Sequence, residues 1–163
     1  MTGLPCSGKT TIAKKLQELI SNMAVLDGDE LREWLSAKDF SREGRNEHNK
    51  KVAHLAKLLL NHNVPTVVSL ISPFNENRKY AREIMGNDRF VEIYIKCSLL
   101  LCEKRDDKGM YKKARQNEIK NFTGVNDDYD IPNNPDLIVD TETESLDKNV
   151  KQIMDYLSAH NFQ

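Results

Sequence analysis

Met1-Thr2-Gly3-Leu4-Pro5-Cys6-Ser7-Gly8-Lys9-Thr10-Thr11 opens the sequence and contains the pattern G-x-x-x-x-G-K-[ST]. This pattern is typical of a phosphate-binding loop, because its glycines let backbone N–H groups surround an anion. We therefore predict that the whole loop contacts the phosphates of a nucleotide. The predicted contact residues are Gly3, Leu4, Pro5, Cys6, Ser7, Gly8, Lys9, Thr10 and Thr11.

The loop should lead directly into a helix that begins at Lys9. Apolar residues recur behind it at helical spacing, namely Ile12, Leu16, Leu19 and Ile20. The positive end of the helix dipole would then face the bound anion. Lys9 can reach the terminal phosphates, and the Thr10 hydroxyl can ligate Mg²⁺. The alternative is a glycine-rich turn before an ordinary helix.

The start of the sequence lacks one expected element. A phosphate-binding loop normally follows a buried β-strand, but only Met1 and Thr2 precede Gly3. We expect the natural chain to start upstream, with Met1 a misplaced start or a truncation. The alternative is that the remaining strands close the gap.

Length and composition restrict the class of protein. The 163 residues are 39% hydrophobic and 30% charged, as in one ordinary globular domain, so we predict a single domain over residues 1–163. The net charge of −1 gives no reason to expect a nucleic-acid or membrane partner. No apolar run approaches the length of a membrane span, and no signal peptide is visible.

The three cysteines, Cys6, Cys97 and Cys102, form an odd set without the spacing of a metal site. They indicate reduced thiols and hence a cytoplasmic protein. Cys6 lies near a helix N-terminus, which can lower the pKa of a thiol. A small buried residue is the alternative for Cys6, without any redox role.

Short apolar runs alternate with amphipathic segments along the rest of the chain. The runs have strand length and are rich in β-branched or aromatic residues: Ala24–Leu26, Val67–Ile71, Phe90–Ile95 and Leu137–Val139. The helical segments cover about 44–61, 75–84 and 146–157. This alternation predicts an α/β fold, a parallel sheet with helices on both faces. Ligands bind beyond the carboxyl ends of such strands, where Asp27, Asp29, Ser72 and Asp140 stand.

Asp27-Gly28-Asp29-Glu30-Leu31-Arg32 follows the run at Ala24. Carboxylates beside a nucleotide can hold Mg²⁺ or accept a proton from an acceptor hydroxyl. Arg32 can bind an anionic substrate through two parallel hydrogen bonds. The alternative is an Asp-Gly turn that caps a helix.

Two further segments carry candidate acceptor contacts. In the segment from Phe40 to His48, the Phe40 ring can stack on a base and Arg45 can bind a phosphate, although Ser41 can equally be the cap of the long helix. Ser72-Pro73-Phe74 follows another strand. We predict that Ser72 caps the next helix and contacts substrate, rather than forming a covalent phosphoserine.

Arg105 to Arg115 is dense in cations although the chain is nearly neutral. Phosphoryl transfer requires positive charge over the transferring group, often on a lid that excludes water. A solvated charged helix is the alternative, but it explains neither Gly109 nor the sequence Phe122-Thr123-Gly124.

Taken together, the segments resemble the adenylyl-sulfate kinase (APS kinase) family over nearly the whole chain. The resemblance is carried by the phosphate-binding loop and by Leu26–Asp29, Phe40-Ser41, Ile71–Pro73, Lys108–Arg115 and Glu118–Gly124. It implies a P-loop kinase that uses ATP and Mg²⁺ to phosphorylate the 3′-hydroxyl of adenylyl sulfate. Members often form dimers, but no stretch of this sequence indicates an interface.

The resemblance also implies roles for individual residues. Asp29 would be the base or, with Thr10, the Mg²⁺ ligand, and Asp27 would support it. Arg105 would lie against the ATP adenine, and Ser72 matches a position described as a phosphoserine. The acceptor would be held by Arg32, Phe40, Arg45, His48, Ile71, Ser72, Lys108 and Phe122, with Phe40 and Phe122 sandwiching its base. The lid would carry Lys108, Lys112, Lys113 and Arg115.

Two positions depart from the family, which usually has Asn where Glu30 and His48 stand. Both belong to the acceptor side. The identity of the acceptor therefore has an alternative, a cytidine-based intermediate of capsule assembly. A nucleotide-sensing domain without activity is a further alternative, but such domains lose the phosphate-binding loop that is intact here.

Overall fold

The structure is a computed structural model that describes residues 1–35, 38–160 and Phe162. Four strands are present in this part of the chain: β1 (Ala24–Asp27), β2 (Thr66–Ser69), β3 (Ile93–Lys96) and β4 (Leu137–Asp140). The helices are α1 (Lys9–Leu19), α2 (Gly28–Trp34), α3 (Arg42–Asn61), α4 (Asn75–Met85), α5 (Leu99–Lys104), α6 (Met110–Arg115) and α7 (Leu146–Ala159). A short 3₁₀ turn, Asn87–Arg89, precedes β3.

The strands form two parallel pairs, β1 with β2 and β3 with β4. Thr2 lies between the pairs as a single parallel bridge to Tyr94. Its N–H donates to Ile93 O over 2.9 Å, and its carbonyl accepts from Ile95 N over 2.8 Å. On the other side, Gly3 N donates to Ile71 O over 3.3 Å. The predicted parallel α/β architecture is confirmed, and its two halves are held at the spacing of one intervening strand.

Helices pack on both faces of the strands. On one face, α1 and α7 pack against Val67, Ile93, Ile95 and Val139 in the main apolar cluster. On the other face, α2, α3 and α4 contribute to a second cluster that includes Leu26. Because successive side chains of a strand point to opposite faces, strands buried on both faces are apolar without interruption. This explains why the corresponding stretches of the sequence are short, continuous apolar runs.

The observed starts of α3 and α4 can be compared with two predictions about helix capping. Ser41 accepts a hydrogen bond of 3.1 Å from Gly44 N at the start of α3, as predicted for an N-cap. The prediction that Ser72 caps α4 is wrong, because α4 begins at Asn75 after a cap residue, Phe74, that makes no side-chain cap bond. Asp130 instead accepts from Asn75 N over 3.0 Å. Ser72 is thereby left at the strand end with its side chain available for another partner.

None of the helices in the described part of the chain combines the length and the apolarity needed to span a bilayer.

Candidate active site

The phosphate-binding loop joins Thr2 to α1 and depends on two glycines. A Cβ atom on Gly3 would lie 2.6 Å from Ile95 O and 2.8 Å from Ser7 Oγ, so no side chain fits there. Gly8 adopts φ 101° immediately before α1, a conformation that favours glycine. The predicted helix start at Lys9 is confirmed. The loop therefore turns tightly against β3, and the side chain of Lys9 points into the concave side of the loop.

Lys9 is buried, with 8% of its surface exposed. Its Nζ donates to Gly3 O over 2.9 Å and to Leu4 O over 2.7 Å. Burial lowers the pKa of Lys9 to about 8, partly offset by nearby Cys102, Cys6 and the carboxylates of Asp27 and Asp29. The ammonium is thus poorly solvated and directed at the loop, which suits it to bind a phosphate anion.

Thr10 connects the loop to the end of β1. Its hydroxyl donates to Asp27 Oδ2 over 2.7 Å and lies 3.4 Å from Ser69 Oγ. The other carboxylate oxygen of Asp27 accepts from Asp29 N over 3.0 Å and caps α2. Asp27 therefore both caps α2 and lies beside the phosphate-binding loop.

The oxygens of Thr10, Asp27 and Ser69 are hard donors of the kind that Mg²⁺ prefers. Mg²⁺ in nucleotide sites commonly takes one or two carboxylates and completes its shell with water and phosphate oxygens. Within the described ranges, no three His, Cys, Asp or Glu side chains form a metal cluster. The donor set thus fits a nucleotide-bound Mg²⁺ and not a metal enclosed by protein ligands.

Asp29 lies two residues further along the chain and faces the predicted lid. Its Oδ2 is 3.3 Å from Lys108 Nζ, and both side chains are strongly exposed. Gly109, at φ 64°, separates α5 from α6 next to this lysine. Tyr111 in α6 donates to Pro5 O over 2.9 Å, which ties the lid to the phosphate-binding loop. Lys112, Lys113 and Arg115 of α6 are exposed.

A cavity of about 390 Å³ lies beside the loop on the side of β4. It is lined by Cys6, Gly8, Lys9, Thr10, Thr11, Ile12, Arg105, Thr141, Glu144, Leu146 and Asn149. The structure thus brings Arg105 next to most of the predicted loop residues. A cavity of this size suits the nucleoside part of a bound nucleotide.

Sequence reasoning missed Thr141 and Asn149 in this cavity. The Thr141 hydroxyl donates to Ser7 O over 2.9 Å, and Arg105 donates to Thr141 O over 2.7 Å. Asn149 is buried, and its Oδ1 atom has no hydrogen-bond partner among the described residues. The sequence signal that could have identified Thr141 as a site residue was its position directly after Asp140, where a strand ends.

The two expectations for Cys6 are wrong. The Cys6 side chain is exposed. Its pKa is raised, because loss of hydration around the sulfur and the nearby Asp106 carboxylate both disfavour the thiolate. The backbone of Cys6 adopts a positive φ of 61°.

The acceptor-side residues gather around the start of α3. Arg32 and Arg45 lie over the Phe40 ring, with guanidinium carbons 4.5 Å and 5.6 Å from its centroid. Arg45 is buried and pairs with Asp127 over 3.2 Å, so this cation already has a counter-ion. Phe122 packs edge-on against Tyr111 at 4.8 Å between centroids. The stacking of a base between Phe40 and Phe122 stays a prediction.

His48 is buried, and Ile71 and Ser72 are half-buried. Ser72 adopts φ 43°, and its hydroxyl donates to Asn49 Oδ1 over 3.1 Å. Ile71 O accepts from Thr2 Oγ1 over 2.7 Å. His48 is 3% exposed, and neither ring nitrogen has a partner among the described residues. Burial, with Arg32 and Lys51 nearby, lowers the pKa of His48 to about 4, so the imidazole is neutral near pH 7.

The sequence profile of a family described as adenylylsulphate kinase matches residues 1–140. The adenylyl-sulfate kinase of Clostridium kluyveri is 43% identical over 162 residues, which cover 96% of this chain and 81% of that protein. The probable adenylyl-sulfate kinase of Aeropyrum pernix is 42% identical and covers 98% of this chain and 91% of its own length.

Among solved structures, the chain is similar to the APS kinase CysC of Mycobacterium tuberculosis in complex with AMPPNP and APS. The TM-score is 0.87 at 39% identity, over 96% of this chain and 94% of that one.

Proposed function

The chain belongs to the adenylylsulphate kinase family, and from that premise we propose that it phosphorylates the 3′-hydroxyl of adenylyl sulfate with ATP. The product would be 3′-phosphoadenylyl sulfate, the activated form of sulfate. One observation carries the proposal: the phosphate-binding loop, the carboxylates after β1 and the cationic lid meet in one cleft. Thr10 contacts Asp27, and Lys108 contacts Asp29 across it.

The donor nucleotide would occupy the loop and the cavity beside it. Lys9 would exchange its bonds to Gly3 O and Leu4 O for oxygens of the β- and γ-phosphates. Arg105 would lie against the adenine at the far end of the cavity. Mg²⁺ would be held by Thr10 with Asp27 or Asp29, where it neutralises charge on the phosphates.

The transfer itself needs a base and a positive surface. The 3′-oxygen of the acceptor attacks the γ-phosphorus of ATP. The bond between the γ-phosphorus and the β–γ bridging oxygen breaks, and ADP leaves. Asp29 is the candidate to take the proton of the hydroxyl, because its carboxylate is exposed to the cleft. Lys108 and the lid residues Lys112, Lys113 and Arg115 would supply positive charge over the transferring group.

The acceptor would lie on the side of Arg32 and Phe40. The guanidinium of Arg32 and the ring of Phe40 are already stacked, at 4.5 Å, and together offer a cation and an aromatic face. Glu30 adds a carboxylate close to a doubly anionic acceptor. A cytidine-based acceptor is not favoured, because the curated relatives that match nearly the full chain are named adenylyl-sulfate kinases.

The test is ADP release with ATP and Mg²⁺, with adenylyl sulfate and cytidine nucleotides offered separately as acceptors. We expect turnover with adenylyl sulfate and its loss in Lys9→Ala, with full activity in the matched control Lys14→Ala, which removes an exposed lysine of α1. Turnover with only the cytidine acceptor would replace the proposed substrate. Binding of adenylyl sulfate without turnover would support the sensing domain.

Three broader assignments belong to this proposal. We place the protein in the cytoplasm, and its three free thiols support this. We treat residues 1–163 as one kinase domain. A homodimer is the assembly that the family resemblance implies, and sedimentation of the purified protein tests it.

A further inference from the structure

Asn49 of α3 joins two predicted acceptor contacts that are distant from each other in the sequence. Its Nδ2 donates to Arg45 O over 2.8 Å, and its Oδ1 accepts from Ser72 Oγ over 3.1 Å. Arg45 and Ser72 are both predicted to hold the acceptor, whereas Asn49 is not among the predicted contacts. One amide side chain therefore connects the start of α3 to the turn that follows β2.

The orientation of the Asn49 amide follows from its two partners. A backbone carbonyl can only accept hydrogen bonds, so the nitrogen of the amide must face Arg45 O. The amide oxygen then faces Ser72, and this oxygen can also only accept. The Ser72 hydroxyl must therefore donate its single proton to Asn49. For any further partner, it presents only the lone pairs of its oxygen.

The backbone of Ser72 is also held in place. Ser72 adopts φ 43°, a left-handed conformation that costs energy for a residue other than glycine and persists where surrounding contacts impose it. Arg78 donates to Ser72 O, and Thr2 Oγ1 lies 3.2 Å from the same carbonyl oxygen. Arg78 is itself buried and paired with Glu92 over 3.0 Å. The carbonyl and the hydroxyl of Ser72 are thus fixed by separate partners, which sets the direction of its free lone pairs.

Ser72 lies close to the place where phosphoryl transfer is proposed to occur. It follows β2, which ends at Ser69, and the Ser69 hydroxyl is 3.4 Å from Thr10 Oγ1 of the phosphate-binding loop. The sugar of the acceptor carries the reacting hydroxyl, so this sugar must lie next to the γ-phosphate. A sugar hydroxyl can donate to the lone pairs of Ser72, whereas the ionised phosphosulfate has no proton to donate.

We propose that Asn49 is a positioning residue of the acceptor site, which fixes the Ser72 hydroxyl as a hydrogen-bond acceptor for the 2′-hydroxyl of the acceptor sugar. This role rests on the proposed function, because it requires a nucleotide acceptor. The 3′-hydroxyl stays available to Asp29, the candidate base. Asn49 itself touches no substrate and acts through Ser72, since Arg45 is held independently by its ion pair with Asp127.

The first test is a double-mutant cycle of Asn49→Leu and Ser72→Ala in the full chain, with ATP, Mg²⁺ and adenylyl sulfate. We expect each single variant to raise KM for adenylyl sulfate about fivefold, as for one lost hydrogen bond, and to leave KM for ATP within about twofold. The double variant should be no worse than Ser72→Ala alone, because Asn49 acts through Ser72. Asn61→Leu, the same exchange at an exposed position of α3, is the matched control.

The direction of the hydrogen bond is tested with 2′-deoxyadenylyl sulfate as the acceptor. The unaltered protein should have a kcat/KM about fivefold lower for this analogue than for adenylyl sulfate. Ser72→Ala should lose this preference, and Asn49→Leu should reduce it. The same preference in all variants, or additive effects on KM in the cycle, would overturn the proposal.

Urea unfolding of the same variants tests the contact between Asn49 and Ser72 without any substrate. We expect the effects of Asn49→Leu and Ser72→Ala on the unfolding midpoint to be non-additive, whereas those of Asn61→Leu and Ser72→Ala should add. Additive effects in both pairs would overturn the proposal. Absence of turnover in the unaltered protein would contradict the proposed function and, with it, the role given to Ser72, while the unfolding cycle would still report the contact.

Discussion

The hydroxyl of Thr10 lies 2.7 Å from Oδ2 of Asp27, which joins the phosphate-binding loop to the end of β1 by one hydrogen bond. Asp29 instead faces Lys108 at 3.3 Å. The two carboxylates of the Asp-Gly-Asp sequence therefore point at different parts of the cleft. We therefore expect a metal-side role for Asp27 and a lid-side role for Asp29, and the two roles can be measured separately.

Asp27→Asn should raise the Mg²⁺ concentration needed for half-maximal rate by about 10- to 100-fold. The cause is loss of the negative charge beside Thr10. Asp29→Asn should lower kcat by about 10²- to 10⁴-fold, the usual contribution of a general base, with little change in the Mg²⁺ requirement. Mg²⁺ titrations of the initial rate distinguish the variants, and Glu33→Gln, an exposed carboxylate of α2, is the control. Reversed results would assign the metal to Asp29.

Thr141→Val should weaken ATP binding without affecting the acceptor. The hydroxyl of Thr141 donates to Ser7 O and accepts from Arg105, so its removal loosens both the loop and the adenine side of the cavity. Loss of about 1 kcal/mol corresponds to a roughly fivefold rise in KM for ATP. Steady-state kinetics with each substrate varied in turn give the measurement. Thr143→Val removes an exposed hydroxyl two residues away and should leave both KM values unchanged.

Lys108→Ala should reduce kcat by about tenfold or more, because positive charge over the transferring phosphoryl group is lost. Its midpoint of thermal unfolding should not change, since an exposed ion pair contributes little to stability. Scanning calorimetry and initial rates are measured on the same samples, with Lys104→Ala as the control. A lower unfolding midpoint with normal kcat would show that Lys108 is structural.

His48 should make the stability of the protein depend on pH below neutrality. Its pKa in the folded state is lowered to about 4, below the ordinary value of 6.5, so the unfolded chain binds more protons between these values. Its contribution to stability is therefore fully present above about pH 6.5 and declines as the pH falls toward 4. His48→Asn and His48→Leu should each flatten this decline in urea unfolding experiments at a series of pH values. An unchanged decline in both variants would contradict a buried neutral imidazole.

Local patterns in the sequence were sufficient to predict several elements of the fold and site. The glycine pattern and the helical spacing predicted the loop and the start of α1, and Ser41 was recognisable as a cap because its partner, Gly44, is three residues away. The gathering of polar residues at strand ends followed from the parallel order of the strands.

Other features depend on partners distant in the sequence. Asp130 satisfies the amide of Asn75 from 55 residues away, so no local signal showed that Ser72 would not be the cap. Thr141 reaches Ser7 across 134 positions, and Cys6 owes its raised pKa partly to Asp106. Such contacts appear only when the strands are assembled, and for this reason the cavity lining was less predictable than the loop.

The position of Thr2 between the strand pairs has a consequence for communication across the molecule. Arg32, Phe40 and Arg45 of the predicted acceptor side follow β1 in the chain, and the cavity around Arg105 borders the β3–β4 half. Few backbone hydrogen bonds join the halves at Met1, Thr2 and Gly3, whereas side chains of α1 share one apolar cluster with Val67 of β2, Ile95 of β3 and Val139 of β4. We therefore expect any coupling between the two proposed substrate sites to depend on the packing of α1.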